Sequence, residues 1–287
     1  MNNPAEQTAI GPMVIVAADQ YETSPLVHDP LARKILPPGG RFAASLARLP
    51  PARRAFKAVT ERRIRGGWAG FLSRKRYVDD QLVNAVAKGI DAVVILGAGY
   101  DTRAYRLPEL AGIPVCEVDL PGNITRKAAA VRRCFGRVPP GVKLLAVDFE
   151  TGSLADRLRQ EGFQPGKRIF YVWEGVTPYL TELAVRKTLD GLTDAAPGSG
   201  LVFTFIRKDF LDGQAMYGAQ GIYQEAVVKR GLWHFGLDPE SVSGFLAEFR
   251  WREVEQVGTD EYTTRYLKPA GRDEPVSEIE RAVYAVR

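Results

Sequence analysis

The stretch from Val93 to Asp119 reads VVILGAGYDTRAYRLPELAGIPVCEVD, and its order of residue types decides the fold. Val93 to Leu96 is a short apolar run closed by glycine, the pattern of a parallel strand buried on both faces. Gly97 and Gly99 permit a sharp turn and a close approach to a ligand, because neither carries a Cβ that would block it. After a short helical stretch, Pro114 to Val118 reads as a second strand, with Asp119 at its carboxyl end. In doubly wound sheets an acid about 20 residues beyond the glycines accepts hydrogen bonds from ribose hydroxyls. The layout is that of a nucleotide-binding half-site. Spacing alone admits a dinucleotide or another adenosine ligand, and a tight strand-to-helix turn is the plainer reading of the glycines.

The residues after the glycines separate these ligands. A pyrophosphate fingerprint places a small Gly or Ala in its last position, where helix and strand pack closely. Here Thr102 stands in that place, with the anionic Asp101 beside it. A carboxylate repels a pyrophosphate and attracts an ammonium or sulfonium. The turn therefore favours S-adenosylmethionine over NAD.

Working outward, Lys143 to Val147, Arg168 to Trp173 and Leu201 to Ile206 read as further buried strands. Helical segments such as Leu154 to Glu161 and Glu182 to Ala195 separate them. Such alternation implies a parallel sheet covered on both faces, with ligands at the carboxyl ends of its strands. Asp148 follows the third strand and Glu174 the fourth, so both are candidate site residues, with a helix N-cap as the alternative for Asp148. Trp251 to Val257 and Ala282 to Val286 have the spacing of a terminal strand pair. The aromatic-rich stretch Met216 to Phe235 either lines a substrate pocket or is core.

The 287 residues, 45% of them hydrophobic, suffice for one large domain, and no linker, repeat or low-complexity tract divides them. The first residues lack the pattern of a signal peptide and no apolar run is long enough to cross a membrane, so a soluble, cytoplasmic protein is expected. Cys116 and Cys134 suit a reducing compartment, and with His28 and His234 the only histidines, no metal site is expected. Net charge is +5, but thirteen Lys or Arg residues fall between Arg33 and Arg76 against the single acid Glu61. This segment reads as a solvated face, ahead of a lid for an anionic substrate and of a nucleic-acid surface.

Five motifs carry a resemblance. They are HDP at His28 to Pro30, RKRYVDD at Arg74 to Asp80, LGAGYDTRAYRL at Leu96 to Leu107, EVDLPGNITRK at Glu117 to Lys127, and WEGVTPYLT at Trp173 to Thr181. On these, the chain resembles the leucine carboxyl methyltransferase family of class I S-adenosylmethionine-dependent methyltransferases, which includes bacterial O-methyltransferases of small-molecule pathways. The resemblance implies an α/β, Rossmann-like fold with a seven-stranded, mostly parallel sheet and helices on both faces. It implies a helical cap over residues 1–90, and a core over 91–287 with an inserted helical lid at about 207–250.

The resemblance also distributes roles. Arg74 would pair with the methionine carboxylate, and the turn Gly97, Ala98, Gly99 with Asp101 would pass beside the methionine portion. Asp119 with Leu120 would hold the ribose, and Asp148 with Phe149 would meet the adenine. Glu174 would face the methionine amino group or the reacting centre. Apart from the resemblance, Tyr179 either orients the acceptor or packs beneath the cofactor. One departure stands out: the family's basic residue some ten positions before Asp-Pro is absent near Val16 to Asp19. That weakens a protein C-terminus as substrate.

The expected activity is methyl transfer from S-adenosylmethionine, leaving S-adenosylhomocysteine, to the carboxylate or hydroxyl of a small anionic or hydroxylated metabolite. A carboxylate acceptor needs no base, whereas a hydroxyl calls for one, with Glu174, His28 and His234 as candidates. No nucleic-acid or membrane partner is expected, and a homodimer is left open. The alternatives are N- or C-methylation, an NAD(P)-dependent oxidoreductase, and a protein that binds the cofactor without catalysis.

Overall fold

The computed structural model describes residues 9–163 and 165–287, so residues 1–8 of the expected cap lie outside the described residues. Strands β1 (Ala92–Leu96), β2 (Val115–Asp119), β3 (Val142–Ala146), β4 (Ile169–Trp173) and β5 (Gly200–Arg207) pair in parallel in the order β3-β2-β1-β4-β5. This is a doubly wound, Rossmann-like sheet, and its order reverses between β1 and β4. Successive strand residues point to opposite faces: Val93, Ile95 and Val115 enter one apolar core, while Val94, Leu96 and Cys116 enter the other.

Among the described residues the sheet holds eight strands, where the sequence predicts seven. The additional β6 (Gly236–Leu237) pairs with the end of β5 at Ile206 and Arg207. Two residues give no periodic signal, and Gly236 approaches so closely that a Cβ there would lie 2.8 Å from the Ile206 carbonyl oxygen. The expected terminal pair forms β7 (Arg252–Val257) and β8 (Glu280–Val286). β8 runs antiparallel between β5 and β7, so the last strand in sequence is interior to the sheet.

Among the described residues, five helices precede β1: α1 (Ile10–Asp19), α2 (Ala32–Ile35), α3 (Pro38–Leu46), α4 (Pro50–Arg63) and the long α5 (Gly67–Ala87). The lone acid of the basic segment has a defined task at the start of α5. The Glu61 carboxylate accepts the Gly66 N–H at 2.7 Å and the Trp68 N–H at 3.1 Å. It thereby satisfies donors that a helix N-terminus leaves open. α6 (Arg103–Arg106), α7 (Pro121–Phe135), α8 (Leu154–Gln160) and α9 (Glu182–Asp190) follow β1 to β4 in turn. No helix among the described residues is long and apolar enough to cross a membrane.

Candidate functional site

The crevice at the strand-order reversal collects most of the expected site residues. Gly97 (φ +70°) and Gly99 (φ +41°) turn the chain away from β1 in a conformation that glycine adopts readily. The Gly97 and Ala98 N–H groups donate to Val118 O, at 2.7 and 3.0 Å, which fastens the turn to β2. Asp119, at the end of β2, lies across this turn. Its carboxylate accepts the Gly99 N–H, the Leu120 N–H and the Asn123 side-chain amide, each at 2.7 Å.

Arg74 reaches the same crevice from α5. Its Nε donates to Glu174 Oε1 at 2.9 Å and its Nη1 to Glu280 Oε2 at 2.6 Å. The other Glu174 oxygen lies 2.8 Å from Arg103 Nη1. Arg103 is fully buried and also meets Asp79 at 2.6 Å, the Lys75 carbonyl at 3.1 Å and the Asp101 carboxylate. Thus the cations that Asp101 meets are Arg103 and Lys75, both from this chain. Arg106 joins Asp79 and Asp29, and Asp29 also accepts the Thr102 hydroxyl, so the His-Asp-Pro motif pins the N-terminal helices to the turn.

Beneath the turn, fully buried Glu117 meets Lys127 at 2.9 Å and the Tyr105 hydroxyl at 2.6 Å. Lys127 also donates to the Asp101 carbonyl at 2.6 Å.

Elsewhere in the site, Asp148 Oδ1 accepts the Glu150 N–H at 2.9 Å. The N-cap of α8 is Ser153, not Asp148, with its Oγ 3.3 Å from the Asp156 N–H. Phe149 is buried against Trp173, their ring centres 6.5 Å apart. Tyr179 is half-buried and meets Trp233 edge to face at 6.4 Å. His28 and His234 are both exposed, and His234 donates its backbone N–H to the Pro178 carbonyl at 2.7 Å. Sequence reading missed Arg103, Lys75, Asp79 and Glu280 as members of this site. The only signal for the first three was their presence inside the motifs.

Burial alone would raise the pKa of Glu174, but Arg103, Arg74 and Lys75 outweigh it and hold the group at about 2. Asp101 behaves alike: burial is the largest effect, and Arg103, Lys75 and Lys127 together overcome it and lower its pKa. Glu117 moves the other way, raised by burial against the pull of Lys127. A folded-state pKa for Glu174 below its ordinary 4.5 gives stability that is present above that value and lost as pH falls toward about 2. The full shift corresponds to roughly 3 kcal/mol. The urea midpoint of the wild type is therefore expected to fall between about pH 5 and pH 3, more steeply than that of Glu174→Gln. Identical profiles would contradict this assignment.

The family model for leucine carboxyl methyltransferases matches residues 9–193, a span that includes Arg74, the glycine turn, Asp119 and Glu174. The chain belongs to the leucine carboxyl methyltransferase family. A relative from Mycobacterium avium (strain 104) is 33% identical over 233 residues, covering 78% of this chain and 76% of that protein. One from Mycolicibacterium paratuberculosis (strain ATCC BAA-968 / K-10) is 28% identical over 299 residues, covering 98% of this chain and 90% of its own. A second Mycobacterium avium protein is 32% identical over 185 residues, an alignment covering 63% of this chain but only 60% of the relative's length. All three are assigned to the S-adenosyl-L-methionine-dependent methyltransferases without a stated acceptor. A crystal structure of a Thermobifida fusca YX protein, assigned as a methyltransferase, has the same fold. The TM-score is 0.56 at 17% identity, over 82% of this chain and 88% of that one.

The charges of the crevice can be set beside those of S-adenosylmethionine, the cofactor of this family. S-adenosylmethionine carries a carboxylate, an ammonium and a sulfonium, for a net positive charge. Five cations (Arg74, Lys75, Arg103, Arg106, Lys127) interlock with six carboxylates (Asp29, Asp79, Asp101, Glu117, Glu174, Glu280). The balance is neutral or slightly negative whichever way Glu117 stands, and Asp119 adds another carboxylate. Gly175 (φ +68°) lets the Arg74 guanidinium pack closely on the backbone, where a Cβ would lie 3.3 Å from Nη2. A separate cavity of about 260 Å³ borders α9, lined by Glu182, Arg186, Lys208, Phe235 and Phe245 among others, and none of the expected site residues lines it. The glycine turn and Asp119 converge in the crevice and not at this cavity, where Arg186 is paired with Glu182 and Glu248.

Proposed function

We propose that the chain is an S-adenosylmethionine-dependent O-methyltransferase acting on the carboxylate or hydroxyl of a small metabolite, with a carboxylate as the favoured acceptor. When bound, the cofactor supplies an electrophilic methyl group on a positively charged sulfur. Arg74 would hold its carboxylate, Glu174 its ammonium, and Asp119 its ribose hydroxyls. Asp148 and Phe149 would bound the adenine.

The observation that carries the preference for a carboxylate is the clamping of Glu174 between Arg74 and Arg103. An acid held near pKa 2 stays ionised and is a weak base at neutral pH, poorly matched to deprotonating a hydroxyl. A carboxylate acceptor is already ionised and requires only alignment and exclusion of water. We assign that shielding to the N-terminal helices and the 207–250 segment, with Tyr179 orienting the acceptor. A hydroxyl acceptor is the second reading, supported by His234, whose backbone is tied to the loop that carries Tyr179.

Titration with S-adenosylhomocysteine tests the site, and an acceptor screen with labelled cofactor tests the reaction. Asp119→Ala and Arg74→Ala are each expected to weaken S-adenosylhomocysteine binding by about tenfold or more, the worth of one charge-assisted hydrogen bond. Unchanged affinity in both variants would refute the site. Methylation of phenols or alcohols but of no carboxylate would favour the second reading.

A further inference from the structure

We propose that Glu280, the first residue of β8, is a positioning residue that fixes the Arg74 guanidinium so that its Nη2 faces a ligand's amino-acid end. This inference rests on the cofactor reading above.

Arg74 is held at two points and open at a third. Nε meets Glu174 at 2.9 Å, Nη1 meets Glu280 at 2.6 Å, and Nη2 makes no hydrogen bond among the described residues. This nitrogen lies beside Gly175, which carries no side chain to cover it; a Cβ there would lie 3.3 Å from it. Glu174 cannot set this orientation alone, because its second oxygen is committed to Arg103 at 2.8 Å. The Glu280 side chain hydrogen-bonds to Arg74 and to no other group among the described residues, and it is 18% exposed. Its place is set by the antiparallel pairing of β8 with β5, which puts Glu280 opposite Ile206.

This is a different source of information from the motifs. Glu174 lies within residues 9–193, which match the family, and Glu280 lies beyond them. A guanidinium on a flexible stem loses affinity if it must be ordered on binding, and a second carboxylate orders it beforehand. Acids on both sides of a cation also suit a zwitterion, whose ammonium meets the acids while its carboxylate meets Nη2.

The test compares two ligands on the full chain: S-adenosylhomocysteine, which has the amino-acid end, and 5′-methylthioadenosine, which has the same adenosine and thioether without it. Glu280→Ala is expected to weaken S-adenosylhomocysteine about tenfold and to leave 5′-methylthioadenosine within about twofold of wild type. Glu280→Gln keeps an oxygen acceptor for Nη1 and is expected to restore most of the lost affinity, with a melting temperature close to wild type. The proposal is overturned if Glu280→Ala binds S-adenosylhomocysteine as well as or better than wild type. It is equally overturned if both ligands weaken together, or if glutamine fails to rescue. Wild-type protein that binds neither ligand would instead overturn the cofactor reading, and this inference with it.

Discussion

Arg103→Leu is expected to lower stability by about 3–5 kcal/mol, the loss that follows when one partner is removed from a buried ion pair. For a chain of this size that is roughly 6–10 °C of melting temperature. The reason is the number of charges that depend on Arg103. Its guanidinium touches Asp79, Asp101 and Glu174 and is itself fully buried. A leucine would leave these carboxylates facing one another with Lys75, Arg74, Arg106 and Lys127 to neutralise them. Adding Asp101→Asn should recover part of the loss, because it removes one uncompensated acid, so the pair is expected to be non-additive. Thermal unfolding followed by circular dichroism measures both effects. A drop below about 1 °C in the single variant would mean that the network is not a determinant of stability.

Gly97→Ala should abolish measurable S-adenosylhomocysteine binding and cost about 2–3 kcal/mol of stability through two separable effects. At φ +70° an alanine pays for a left-handed conformation, and its methyl would lie 2.2 Å from Val176 Cγ2. The Val176 side chain can yield and the backbone cannot. Val176→Ala in the Gly97→Ala background is therefore expected to restore part of the stability, leaving the backbone cost of about 1–2 kcal/mol. Full recovery would mean that contact alone makes Gly97 necessary. No recovery would mean that the turn itself has collapsed.

Strands β1 to β5 were legible because each is a mainly apolar stretch bounded by turn residues, and the glycine turn with Asp119 marked where a ligand is expected. The crevice does bring Arg74, Gly97, Gly99, Asp101, Asp119 and Glu174 together. What the sequence could not show is which charge faces which. Asp101 read as an acid awaiting a cationic ligand, yet Arg103 stands two residues away and Lys75 comes from α5. A one-dimensional motif carries both signs of charge without their pairing. Arg103 and Arg106, three apart on α6, share Asp79, a pairing that the motifs hold without displaying. Glu280 left no signal, because it is 206 residues from Arg74 and reaches it only through sheet register. The absent base near Val16 to Asp19 has a local account: buried Asp19 pairs with Arg272 at 2.6 Å, so this position holds an acid serving the chain's own packing.

The interior position of β8 bears on the order in which the molecule is built. During synthesis, β1 to β5 leave the ribosome well before residues 280–286, and until those residues arrive β5 presents its antiparallel edge unpaired. An exposed edge beside a slow-forming parallel sheet invites association between nascent chains. The strand that closes this edge is the one that delivers Glu280 to Arg74. Shielding from aggregation and completion of the arginine clamp therefore arrive in a single late step.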